Sequence, residues 1–197
     1  RATLLFRTSH ANTTVMARTA ILRRFGHQLE FRLGSDHDLL ERLARHCRLA
    51  NLPWVLGYQR EHRGRSTKAA PETLLQAKYR LIDRQLRTLG IVASQADLAR
   101  HYLLTRIKRE DWAAHPDYLH WAADWLEGLL EANRRTPVYA QRALTGIVAQ
   151  TWIETCLRGI RPLGWRKALS GMGRMPWFAP AGSCVADNLI HAAGFRN

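Results

Sequence analysis

The sequence predicts a mainly α protein, a helical bundle with a short N-terminal β element and an irregular, basic C-terminal tail. Three observations predict it. Apolar residues recur at helical spacing over most of the chain. Ahead of the first long helix, Leu29, Phe31 and Leu33 alternate with Gln28, Glu30 and Arg32, the period-two pattern of a half-buried strand. After Gly159, Gly, Pro and Arg crowd the sequence.

Residues 1–15 are given no part in the fold. Met16-Ala-Arg-Thr19 reads as a natural start, and what precedes it reads as an extension, a fragment edge or a disordered arm. Residues 16–160 read as one helical nucleic-acid-binding domain, and 161–197 as the tail, which could open a further β segment.

Ala20–Phe25 is the expected hairpin partner of the strand, with Gly26 at the turn. Gly34-Ser35 stops the strand, and Ser35 with Asp38 gives an N-cap signature. Leu39, Leu40, Leu43, Ala44 and Cys47 then carry a first helix toward Arg48. Pro53 interrupts, and Trp54-Val55-Leu56 suggests a second short helix to about Arg60. Residues 61–70 form a basic loop without periodicity.

Pro71 suits the first position of a helix that Leu74, Leu75, Tyr79, Ile82, Leu86 and Leu89 carry to Gly90. Ser94 with Asp97 repeats the capping pattern for a helix to about Lys108, and Glu110-Asp111 reads as a helix end. After Pro116, Tyr118, Trp121, Ala122, Trp125 and Leu129 share one face, with Trp121 and Trp125 expected in the core. Pro137 opens the last long helix, whose inner face is Leu144, Ile147, Val148, Trp152 and Cys156.

Charge bears most on function. Thirty Lys and Arg against sixteen Asp and Glu leave +14, which suits a polyanion better than a small-molecule substrate. The three cysteines, Cys47, Cys156 and Cys184, are far apart and odd in number, which argues against a disulfide framework and for a reducing compartment. No apolar run approaches the roughly 20 residues that span a bilayer, so no membrane partner is expected.

Sites of other chemistry are not expected. No paired Cys-x-x-Cys or His-x-x-x-His gives zinc-ligand spacing, so no metal or other cofactor is predicted. Asp36, Asp38 and Glu41 lie together, but at a helix start where capping and dipole compensation account for them. With no phosphate loop, dinucleotide fingerprint or nucleophile elbow, the chain lacks a complete active site and is expected not to be an enzyme.

Nucleic-acid contacts remain, with DNA or structured RNA as partner. Arg23, Arg24 and Arg32 flank the strand, and Arg42, Arg45 and Arg48 recur along the first helix. Arg60, Arg63, Arg65 and Lys68 cluster in the loop, and Arg158, Arg161, Arg166, Lys167 and Arg174 near the tail. Guanidinium groups hold phosphates bidentately and give salt-dependent, largely sequence-independent affinity. Trp165, Trp177 and Phe178 among the tail arginines could stack on bases. The plainer reading of Arg42, Arg45 and Arg48 is a solvated face paired with Asp38 and Glu41.

Three stretches carry a family resemblance. They are Leu29-Glu-Phe-Arg-Leu-Gly-Ser-Asp-His-Asp-Leu-Leu-Glu-Arg-Leu43 with Cys47–Asn51 and Trp54-Val-Leu56, Pro137–Leu144 with Cys156-Leu-Arg-Gly159, and Arg174-Met-Pro-Trp-Phe178. In these the chain resembles the N-terminal part of the OrfB/TnpB transposon-associated proteins, relatives of the type V CRISPR effectors. The resemblance spans nearly everything after Met16. It implies a helix-turn-helix-like recognition lobe in a prokaryotic, nucleoid-associated setting, with the family's nuclease half and zinc ribbon absent from this chain. The rival reading is a free-standing helix-turn-helix regulator that dimerises on a palindrome.

Overall fold

A computed structural model describes residues 1–8, 12–28, 30–31, 33–55, 57–58, 60 and 70–170. Among them every regular element is helical. The chain falls into two compact units, Arg1 with Thr3–Gln85 and Ala2 with Leu86–Asn197.

In the first unit the expected β element is replaced. Thr19–Phe25, which includes the supposed hairpin partner, forms helix α1, and no strand occurs among the described residues. Ala20, Leu22, Arg23 and Arg24 are good helix formers, and three alternating apolar residues without a β-branched member are too short a pattern to override them. Gly26, at φ 47°, ends α1 where a side chain would be strained. Phe31 closes a tight turn onto the Gln28 carbonyl at 3.1 Å, with its ring buried.

Helix α2 spans Ser35–Leu43. Its N-cap is Gly34 at φ 79°, not Ser35, because the chain arrives in a left-handed conformation that glycine tolerates. The helix also stops short of Arg48, and Trp54 and Val55 are non-helical and exposed. Pro53, without an N–H, fits that break.

Residues 1–8 are the larger correction. Ala2–Leu5 winds as a 3-10 turn, and Leu4 and Leu5 are each 1% exposed. The Leu4 carbonyl bonds His37 Nε2 at 2.8 Å and accepts from Gln85 Nε2 at 3.2 Å. Lys78 Nζ, which can only donate, lies 3.2 Å from His37 Nδ1, so Nε2 carries the hydrogen toward Leu4. The segment assigned no role is thus fastened to α2 and to α3, Pro71–Thr88. Helix α3 starts at Pro71 as predicted, and the unit boundary falls within it.

The second unit is read more closely by its leucines. Helix α4, Gln95–Leu103, opens on a complete capping box between Ser94 and Asp97. Helix α5, Arg109–Ala114, begins where a helix end was expected, since the Asp111 carboxylate accepts the Lys108 N–H at 2.8 Å. Helix α6 is Tyr118–Arg135 and α7 is Gln141–Leu163, and the two pack together. Leu144, Ile147, Val148, Trp152 and Cys156 form the buried face of α7 as predicted.

Helix α7 starts four residues after Pro137. The Asn133 side chain holds the intervening loop, its Oδ1 accepting from Val138 and Tyr139 N–H and its Nδ2 donating to the Tyr139 carbonyl. From Gly159 to Ser170 the chain is helical apart from Gly164, not irregular, and the rest of the expected tail, residues 171–197, lies outside the described residues. Helix α7 runs through Pro162 to Leu163, Gly164 at φ 83° breaks it, and α8, Trp165–Ser170, packs back against it. Gly159 lies against α5, where a methyl group would sit 3.2 Å from the Trp112 ring. Trp121 and Trp125 are stacked at 5.3 Å and only half-buried. No helix of the described residues is long and apolar enough to cross a membrane.

Candidate nucleic-acid interface

The predicted basic residues divide by what they touch. Arg42 is committed to the fold: its Nε donates to Asp38 at 2.9 Å, and its two terminal nitrogens donate to the Phe25 and Gly26 carbonyls at 2.6 Å each. These bonds satisfy carbonyls at the end of α1 that lack a helical partner. Arg45 grips Glu41, with its Nε at 2.8 Å from Oε1. Arg48 is exposed and makes no ion pair among the described residues. Arg42 and Arg45 therefore pair with Asp38 and Glu41 as the plainer reading has it, but on buried carboxylates and not on a solvated face.

Arg60 is exposed. Arg32, Arg63, Arg65, Lys68 and Arg174 lie outside the described residues, as do Trp177 and Phe178. Arg23 and Arg24 project from the last turn of α1, Arg24 over the Phe25 ring at 5.3 Å.

Sequence reasoning misread Asp38 and Glu41, which are 0% and 2% exposed. Arg84 of α3 donates to Asp38 Oδ1 at 2.5 Å and lies 3.4 Å from Glu41 Oε2. Its guanidinium also lies 5.4 Å from the centre of the Phe31 ring. Buried carboxylates need such partners, so this cluster ties α2 to α3 rather than capping a helix. The available signal was their spacing, which interleaves them with Leu39, Leu40 and Leu43.

The second unit gathers Arg158, Arg161, Arg166 and Lys167 on the end of α7 and on α8, with no acidic residue from 155 to 170. Arg158 pairs loosely with Glu154 at 3.5 Å, while Arg161, Arg166 and Lys167 are exposed. Trp165 is 61% exposed, with the Arg166 guanidinium 5.3 Å from its ring centre. The carbonyl end of α7 favours these cations by its dipole, which accounts for part of the clustering without a ligand. An exposed indole beside them is left unaccounted for by that effect.

Among the described residues no group of three His, Cys, Asp or Glu could hold a metal ion. Burial pushes the Cys156 thiol up to about 12 and raises the Tyr118 phenol above its ordinary range. The α7–α8 corner can therefore offer cations and a stacking surface.

No protein-family model, curated protein or solved structure matches this chain.

Proposed function

We propose that the protein binds nucleic acid through phosphate contacts, and that the α7–α8 corner is a principal contact surface. One observation carries this reading: Arg161, Arg166 and Lys167 stand exposed around an exposed Trp165, in a stretch from 155 to 170 whose sequence has no Asp or Glu. Guanidiniums would take phosphates and the indole a base, without sequence readout. The resemblance to the OrfB/TnpB recognition region is a narrower form of the same proposal, with transposon-end DNA or a structured RNA as ligand. Coding DNA that continues in frame past Asn197, with spaced carboxylates and paired Cys-x-x-Cys, would support that form.

Fluorescence anisotropy with labelled single- and double-stranded DNA tests the reading. Four phosphate contacts give roughly a 10²-fold loss of affinity between 50 and 200 mM salt. The R161Q/R166Q/K167Q variant should flatten that slope by about 2.7 on duplex DNA. Binding that ignores salt, or a variant that binds as tightly as the parent, overturns the proposal.

A further inference from the structure

The first unit contains a cavity of about 560 Å³ whose chemistry the nucleic-acid reading does not use. Buried Leu40 and Leu43 line it together with exposed Leu52, Trp54 and Val55, of which Trp54 is 67% and Val55 70% exposed. Arg18 and Arg48 line it too, both exposed and neither paired with a carboxylate among the described residues. No Asp or Glu is among the described lining residues.

The geometry points to a binding site for a single-chain anionic amphiphile, an acyl carboxylate whose hydrocarbon lies along the aliphatic wall and whose head meets Arg18 and Arg48. Charge complementarity selects the head, because Arg18 and Arg48 line the cavity and none of its described lining residues is acidic. The lining selects the tail. Among the described lining residues Trp54 alone is aromatic, whereas base recognition uses stacked aromatic surfaces. The cavity's volume lies within the range of about 300 to 1,000 Å³ usual for small-ligand cavities. An exposed apolar set of this kind marks a binding surface more often than chance. Arg48 is also a candidate phosphate contact of the sequence, but the α7–α8 corner does not use it, so either proposal can fail alone.

Calorimetry on the full chain, below the micelle concentration, tests it with dodecanoate, dodecan-1-ol and dodecyltrimethylammonium. One dodecanoate per chain should bind, more tightly than the alcohol, with the cation weakest. R18Q/R48Q should weaken dodecanoate at least about tenfold and leave the alcohol unchanged. Val55→Asp, at an exposed position, should weaken dodecanoate and the alcohol alike. Melting temperatures near the parent's confirm that both variants fold. Equal binding of all three heads, no binding by the folded parent, or several equivalents per chain would overturn the assignment. So would an acidic amphipathic peptide that binds and is not displaced by dodecanoate.

Discussion

Arg42 and Asp38 sit one turn apart on α2 and meet at 2.9 Å, and the same guanidinium closes the end of α1 through the Phe25 and Gly26 carbonyls. An arginine with all its reach spent inside the fold has little left for a phosphate. Arg42→Gln should therefore lower stability by about 1.5–3 kcal/mol, the range for hydrogen bonds to charged groups, and leave nucleic-acid affinity nearly unchanged. Urea unfolding and anisotropy on the same sample check it. Lost affinity with an unchanged unfolding midpoint would return Arg42 to the interface.

The tryptophans separate by burial. Trp152 is 0% exposed, so Trp152→Ala should destabilise by about 3–5 kcal/mol. Trp121 and Trp125 are half-buried and donate their indole N–H groups to Asp97 and His101. Their alanine variants should cost less, about 2 kcal/mol each. Equal losses at all three positions would show that Trp121 and Trp125 carry as much packing as Trp152.

Asp97 ties stability to acid pH. Burial pushes its carboxyl up, but the hydrogen bonds from the Ser94 hydroxyl, the Ser94 N–H and the Trp121 indole, with the Arg100 charge, together hold it below its ordinary 3.8. A depressed carboxyl stabilises the fold above its unfolded value, and the gain disappears as pH falls from about 4 through the folded value. Ser94→Ala should cost about 1 kcal/mol at neutral pH, and the gap from the parent should narrow below pH 4. Thermal melts at pH 7 and pH 3 measure both; a gap that stays constant rejects the coupling.

Cysteine reactivity should follow burial. Cys156 is 0% exposed with its thiol pushed up to about 12 by burial, which keeps it as the unreactive thiol near neutral pH. Cys47 is half-buried and donates weakly to the Leu43 carbonyl at 3.2 Å. A short iodoacetamide pulse followed by peptide mass mapping should mark Cys47 and spare Cys156 until denaturant is added. Comparable labelling of both would mean that α7 opens readily.

Helices α3, α4, α6 and α7 were legible because repeating leucines and local caps such as Ser94–Asp97 act over three or four residues. What was hidden depends on partners distant in sequence. Leu4 and Leu5 are buried although nothing within residues 1–15 announces it, because His37 and Gln85 anchor the Leu4 carbonyl. The start of α7 was misplaced because Asn133, on the preceding helix, outbids Pro137 for the loop. Of the candidate site, the charges at Arg161, Arg166 and Lys167 could be read directly. That Arg42 and Arg45 are spent on Asp38 and Glu41 could only be posed as an alternative.

Gly159 has a bearing on how this sequence can vary. The distance between α5 and α7 is set by an atom that is not there, since a methyl group at 159 would come within 3.2 Å of Trp112. A methyl group gained at 159 needs the Trp112 ring to give by a few tenths of an ångström, which couples the two positions. In any alignment of this protein's descendants, Gly159 and Trp112 should covary even though 46 residues of chain lie between them.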